Sequence, residues 1–442
     1  MSFRSPVRRT GLIFALTLFP ISHLPAAADV RYTVKDLGSL GGARVGALGI
    51  NSDGEVVGFA ALPGSSALHA FLNDGGGIRD LGTFGGSQST ARAINRNESV
   101  VGWAVTGSGE RHAFLLRSGS LLDLGTLGES PVDAWGVNDL DEVVGSYLNG
   151  PAERAYVWRA GVMTDLGTLG GTDSRAYAIN NAGDIVGFAR PTVNEEIHAC
   201  RWRDGLVTDL GTLGGWASHA YDINENGKIV GWSMEDPNYI SHAFEWVDGT
   251  MYDLGTLGGV YSAAFAINLQ GVVVGTSTTL SGQQRAFLYD GIEMLDLNSL
   301  IPSDAGWRLV SAEDINDQGL IVGTGLFNGD YRGFLLAPLP GLGAEPPHGS
   351  ATLSFAGAAP NPVLGGARFG FALPAPARVT LRLYDLHGRV VRTVADRNFD
   401  AGPGSIAWDG RGDDGGRLEQ GIYWARLEAA GHALVRRVSV LH

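Results

Sequence analysis

The stretch Asp165-Leu-Gly-Thr-Leu-Gly-Gly171 decides how this chain is read, because it recurs. Copies of its Asp-Leu-Gly element begin at Asp36, Asp80, Asp123, Asp165, Asp209 and Asp253, and a worn copy begins at Asp296. The successive spacings are 44, 43, 42, 44, 44 and 43 residues. So narrow a period marks a repeat architecture. In repeat four, residues 175–180 read as a first strand, 184–189 as a second, 197–202 as a third and 206–211 as a fourth. These short segments are rich in β-branched and aromatic residues and bounded by Asn, Asp and Gly, the strand-and-turn pattern. Asp204-Gly205, Asp248-Gly249 and Asp290-Gly291 predict two-residue hairpin turns, which need positive φ. Asn51/Gly54, Asn180/Gly183, Asn224/Gly227, Asn268/Gly271 and Asn316/Gly319 predict turns capped by the Asn side chain.

Four strands in about 43 residues predict the blade of a β-propeller. The first-strand element ends seven times in Asn, at Asn51, Asn95, Asn138, Asn180, Asn224, Asn268 and Asn316. The fourth-strand element also occurs seven times, but its first copy precedes the first complete unit and none follows Phe334. The expected fold is therefore all-β: a seven-bladed β-propeller followed by a small immunoglobulin-like β-sandwich. The N-terminal strand, 31–37, is expected to pair with 333–337, completing the last blade and leaving no open edge. A linear β-solenoid would not need that displaced start. The predicted domains are a signal peptide (1–28), the propeller (29–337), a Pro/Gly linker (338–349) and a C-terminal sorting or attachment domain (350–442).

The 66 glycines among 442 residues make about 15 % against a usual value of roughly 7 %, which fits many tight turns. Residues 29–349 carry 38 acidic against 18 basic side chains, whereas 350–442 carry 8 against 11. So acidic a repeat region repels phosphate backbones, so no nucleic-acid partner is expected. Arg4, Arg8 and Arg9, then an apolar run from Gly11 to Ile21, then Ala26-Ala27-Ala28 predict a secretory signal cleaved after Ala28. The protein is therefore expected to be secreted or at the cell surface, with no membrane-spanning segment in the mature chain. Cys200 is the single cysteine. It takes the slot that Phe71, Phe114, Phe244, Phe287 and Phe334 fill elsewhere, so it reads as a small buried apolar group.

His69-Ala-Phe71, His112-Ala-Phe114 and His242-Ala-Phe244 recur with the strand elements above. They resemble the HAF repeat of extracellular bacterial proteins over about 32–336; Arg154-Ala-Tyr156, His198-Ala-Cys200, Arg285-Ala-Phe287 and Arg332-Gly-Phe334 depart from it. The resemblance implies export and no particular chemistry. In the C-terminal part, Pro360-Asn-Pro362, Val379 to Asp385, Trp408-Asp-Gly410 and Gly421-Ile-Tyr423 resemble two related groups. These are the immunoglobulin-like domain of the flagellar hook-capping protein and the sorting domain of type IX secretion cargo. The resemblance implies a secretion or attachment address, with the secretion machinery as a partner. Trp408 is expected to fill the sandwich core.

The loops between second and third strands vary among copies, and variable loops on a rigid ring are where binding is expected. The candidate ligand-binding residues on that face are Trp103, Trp135, Tyr147, Trp216, Trp232, Tyr239, Tyr261 and Tyr331. A glycan or a surface protein is the expected ligand class. No catalytic residues, cofactor or metal are assigned: nucleophile-elbow, HExxH and phosphate-loop patterns are missing. The four repeat histidines come from different blades, and the recurring Asp reads as a turn cap. The reading is a non-enzymatic binding module. The alternatives are a secreted polysaccharide hydrolase or lyase with a carboxylate site at the channel mouth (Asp173, Asp222, Glu313 and Asp314), and a structural surface-layer component.

Overall fold

The computed structural model describes residues 30–191, 196–235, 240–339, 354–359, 363, 365–373, 375–385, 388–429 and 432–441. The predicted signal peptide, Tyr239 and most of the predicted linker lie outside them. Among the described residues the chain is all-β, with one 3-10 turn at Leu297–Ser299. No helix among them is long and apolar enough to cross a membrane.

Each repeat folds as a four-stranded antiparallel sheet. The seven first strands are Val45–Ile50, Gly85–Ile94, Glu129–Val137, Gly170–Ile179, Ser218–Ile223, Gly258–Ile267 and Trp307–Ile315; their sheets are units one to seven. A single parallel bridge, Ser241 to Tyr261, joins units five and six. In unit seven the outer place is taken by Tyr32–Asp36, which pairs antiparallel with Asp330–Pro338 from Tyr32↔Pro338 to Asp36↔Phe334. The displaced Asp-Leu-Gly copy thus closes the last sheet. Each first strand packs against the first strand of the next unit, and that of unit seven packs against that of unit one.

Three recurrent contacts explain why the sequence repeats. The first is the terminal Asn, buried in every unit. Its Oδ1 accepts the amide four residues on, capping the turn: Glu55 N on Asn51 at 2.9 Å and Leu320 N on Asn316 at 3.0 Å are two of seven examples. Its Nδ2 donates to the carbonyl of the equivalent Asn in the next unit. The circuit runs Asn51 to Asn95, Asn138, Asn180, Asn224, Asn268 and Asn316, and returns from Asn316 Nδ2 to Asn51 O at 2.9 Å. A buried amide with all its groups paired stabilises; one left unpaired costs about 1–3 kcal/mol.

The second contact uses the Asp of Asp-Leu-Gly. In all seven copies one carboxylate oxygen accepts the amide two residues on, as Gly82 N does on Asp80 at 2.7 Å. In six, the Asp also holds the His or Arg that opens the third strand: His69–Asp80, His112–Asp123, Arg154–Asp165, His198–Asp209, His242–Asp253 and Arg285–Asp296. The third contact is steric. Gly58, Gly102, Gly145, Gly187, Gly231, Gly275 and Gly323 each lie under a carbonyl of the first strand, where a Cβ would overlap that oxygen.

The hairpins at Asp204-Gly205 and Asp248-Gly249 have positive φ at both residues. Asp290-Gly291 does not form the expected two-residue turn. Asp290 Oδ1 instead accepts both Ile292 N and Glu293 N, making a four-residue loop between Tyr289 and Met294. Cys200 is fully buried among apolar side chains of units three and four.

The C-terminal region forms two facing sheets. One holds Ser354–Ala359, Ala367–Leu373 and Gly402–Trp408; the other orders Val390–Phe399, Ala377–Tyr384, Gly421–Ala429 and His432–Val440. Phe369, Phe371, Val379, Leu381, Leu383, Trp408 and Leu427 fill the space between them, and Trp408 Nε1 donates to Arg411 O. This sandwich touches unit five. Arg368 reaches Glu245 at 3.1 Å and lies 4.3 Å from the centre of the Tyr252 ring.

Candidate functional site

Every first strand carries a β-bulge between the residues four and two positions before its terminal Asn, as at Ala134/Gly136 and Ala220/Asp222. A bulge bends the strand and re-aims one side chain. The bulged residues are Leu48, Arg92, Trp135, Tyr177, Tyr221, Phe265 and Glu313. Six residue types fill the seven places of this column, Tyr alone recurring, whereas the position before it is Ala in all seven.

The bulged side chains meet across unit boundaries. The Arg92 guanidinium lies 4.1 Å from the centre of Trp135. Ring centres follow at 5.3 Å for Trp135–Tyr177, 4.9 Å for Tyr177–Tyr221 and 5.6 Å for Tyr221–Phe265, all edge-on. The arc thus runs unbroken from unit two to unit six on the strands whose packing closes on itself. All its members keep partial solvent exposure.

A second tier sits two positions earlier. His219 stacks on Trp232 at 4.8 Å and lies 4.5 Å from Phe188. Trp232 Nε1 donates to Tyr221 Oη at 3.0 Å. Burial, helped by Arg175, pushes the His219 imidazole down to about 3, so it is neutral at physiological pH. Burial pulls Arg175 down, but its two bonds to Glu153, 2.7 and 2.6 Å, outweigh this and hold it charged. Arg111 grips Asp133 and lies 4.0 Å from the Trp103 ring centre. Burial raises Asp133 while Arg111, Arg92 and Arg175 oppose it. Arg92 is the cation left over. Its Nε is buried and without a hydrogen-bond partner among the described residues, as is Trp135 Nε1. Buried donors without acceptors are costly in a protein and useful to a ligand that supplies acceptors.

The sequence-predicted residues divide. Trp135 is in the arc and Trp232 in the tier above it; Trp103 is beside them under Arg111. These three sit on strands and not on the variable loops: Trp135 at the bulge of a first strand, Trp103 and Trp232 on the second strands Val100–Thr106 and Ile229–Met234. Tyr147 is buried with its hydroxyl donated to Asp165 at 2.6 Å, so it presents no free ring. Tyr261 is partly buried at the start of the unit-six strand. Trp216 and Tyr331 are 39 % and 54 % exposed and make no ring contact with the arc among the described residues. Arg92, Arg175, Tyr177, His219, Tyr221 and Phe265 were not singled out from the sequence. The available signal was a variable column on strands whose neighbouring Ala and terminal Asn are constant in all seven copies.

The candidate carboxylates also divide. Asp222 accepts Ile223 N and, from the next unit, Ile267 N, each at 2.8 Å. Asp314 does the same with Ile315 N at 2.7 Å and Ile50 N at 2.8 Å. They are clamps between units. Burial raises Asp222 to about 6; burial, with Asp222 nearby, raises Asp314 to about 8. Asp173 holds Glu153 N and pairs with Arg190. Glu313 is in the bulge column, accepts the Ser311 hydroxyl, and is raised by burial.

Two family models match parts of the chain. The FlgD Ig-like domain matches residues 358–432, and a family of unknown function, DUF3466, matches residues 214–333. No curated protein matches. Among solved structures, PorZ, a bacterial surface component of the type IX secretion system of Porphyromonas gingivalis, is 13 % identical with a TM-score of 0.40. The match covers 89 % of this chain, which spans 59 % of the PorZ chain. Trypanosoma rangeli sialidase is 10 % identical with a TM-score of 0.37, covering 93 % of this chain and 86 % of its own. TolB from Acinetobacter baumannii is 11 % identical with a TM-score of 0.34, covering 64 % and 80 %. The C-terminal sandwich is thus an immunoglobulin-like domain similar to that of FlgD. Structural likenesses this distant carry no argument about what the chain binds.

Proposed function

We propose that the seven sheets are the blades of a seven-bladed β-propeller that works outside the cell as a non-enzymatic binding module, with its ligand at the bulge arc. The immunoglobulin-like domain serves as the secretion or surface-attachment address. Ring geometry is favoured by the Asn circuit, which returns from unit seven to unit one, and by the strand that completes the last sheet. Export is favoured by the HAF resemblance and the signal pattern. The observation that carries the binding reading is the variable column. The terminal Asn and the Ala before the bulge are constant and serve the scaffold, while the bulged position carries Arg92, Trp135, Tyr177, Tyr221 and Phe265, each in contact with the next. Aromatic rings edged by guanidinium and hydroxyl groups suit a glycan, whose faces are apolar and whose rims are polar.

A polysaccharide hydrolase or lyase is the second reading, favoured by Glu313, a carboxyl of raised pKa in the same column. A glycan panel assayed for both retention and turnover tests the two. Retention without bond cleavage is expected. Cleavage that disappears in Glu313→Gln overturns the non-enzymatic reading. Glu313 is the informative position, since replacing Asp222 also releases the backbone of Ile267. The address is tested by removing residues 350–442 and fractionating cells; unchanged surface display would contradict it.

A further inference from the structure

The sequence gives no reason to look for a metal inside one unit, but unit five differs from its sisters there. Its second, third and fourth strands are Ile229–Met234, Ser241–Val247 and Thr250–Gly255. Glu235 follows the second, His242 is on the third and Asp253 is on the fourth, so three adjacent strands deliver them to one end of the sheet. His242 Nδ1 lies 2.9 Å from Asp253 Oδ2 and 3.4 Å from Glu235 Oε1. One ligand atom from each lies within 4.8 Å of the others.

The sister units provide the control. All four His units keep the His–Asp pair, but Asp80, Asp123 and Asp209 are 37 %, 42 % and 43 % exposed whereas Asp253 is 4 % exposed. Unit four also has a Glu near its His, yet Glu196 approaches Nε2, 3.6 Å away, on the other side of the ring from Asp209. Among the described residues, only in unit five do two carboxylates converge on one imidazole nitrogen. No Lys or Arg pairs with either carboxylate among the described residues. One imidazole facing two carboxylates can balance at most one of their charges, and Asp253 is withdrawn from water.

We propose that Glu235, His242 and Asp253 form a binding site for one divalent transition-metal ion, zinc or manganese. The ligand set is one imidazole nitrogen and two carboxylate oxygens, which suits these ions and not a thiolate-seeking one. With metal–ligand bonds of roughly 2.0–2.1 Å, tetrahedral ligand atoms lie ~3.3 Å apart, close to the separations at His242 Nδ1. Gly255 N donates to the other oxygen of Asp253 at 2.6 Å, the kind of outer bond that orients a ligating carboxylate. The ion would tie three strands of unit five together. The site is separate from the bulge arc, and the proposal stands whether or not the arc binds a glycan.

The test uses the full mature chain stripped with a chelator and dialysed against Zn²⁺ or Mn²⁺ alone. Bound metal is counted per chain, and the thermal midpoint is measured with and without the ion. One ion per chain is expected, with a raised midpoint. Affinity should fall at least ~tenfold in Glu235→Gln and in His242→Gln and stay unchanged in His198→Gln, the sister-unit control. The Glu235 side chain is 20 % exposed against 4 % for Asp253 and lies outside the core, so Glu235→Gln is expected to fold even if replacement at Asp253 does not. Absence of uptake by the wild-type chain overturns the proposal, as does uptake that survives both variants. Uptake lost in His198→Gln overturns it equally, by moving the site to another unit.

Discussion

Two columns of the first strand, three residues apart, obey opposite rules. The terminal Asn is identical in all seven units, buried, and bonded both to its own turn and to the next unit. The bulged residue varies among Leu, Arg, Trp, Tyr, Phe and Glu and meets its counterparts in adjacent units through rings and charge. The first column is what a closed assembly requires. A position that links one unit to the next is repeated because the same link is made seven times. The second column is free of that requirement, and chemical variety collects there.

The largest effect should come from the scaffold glycines. In Gly231→Val and Gly275→Val the new side chain meets a backbone carbonyl that cannot retreat without opening the sheet. A loss of about 4 kcal/mol or failure to fold is expected, read by chemical denaturation. Next, Asn316→Ala and Asn138→Ala should cost the same, about 2 kcal/mol each, from unpaired buried amides. Asn316 bonds unit seven to unit one, so equal costs support a closed ring. A markedly cheaper Asn316→Ala would indicate an open chain of units.

A smaller effect separates the clamps by pH. Asp222 and Asp314 titrate in the folded protein near 6 and 8, against roughly 3.9 when unfolded. Raised values mean that the folded state holds protons the unfolded chain has released. Stability is therefore full below about pH 4 for these groups and falls as pH rises toward 8. Asp314→Asn loses one amide acceptor and is less stable at low pH, but its melting temperature should vary less between pH 6 and 8. An unchanged slope would mean that Asp314 is ionised throughout. The smallest effect is expected in the bulge column. Arg92→Gln removes a desolvated cation whose Nε has no hydrogen-bond partner among the described residues, so its stability should lie within about 0.5 kcal/mol of wild type.

The scaffold was legible from the sequence because its contacts repeat. The Asp-Leu-Gly spacing gave the units, the displaced Asp36 copy gave the pairing with Phe334, and Asn and Gly gave the turns. The role of the Asn side chain between units was not legible, since a turn cap explains the same residue. The site was legible only in part. Trp135 and Trp232 stood out as aromatics, but variable loops drew attention away from a variable position inside a strand. Arg175 and His219 look like strand filler until the bulge and the closing of the first strands bring them together. The Glu235–His242–Asp253 group was missed because the histidines were compared between units, while the partners of His242 lie on strands beside it.

The central claim is that binding belongs to the bulge column and not to the exposed loops. It is tested most directly by the retention of one glycan panel on three proteins: wild type, an arc variant (Arg92→Gln with Tyr177→Ala) and a loop variant (Trp216→Ala with Tyr331→Ala). Each must first be shown to melt as a folded protein. The account predicts that the arc variant loses retention at least ~tenfold while the loop variant keeps it. Retention lost in the loop variant and kept in the arc variant would contradict it.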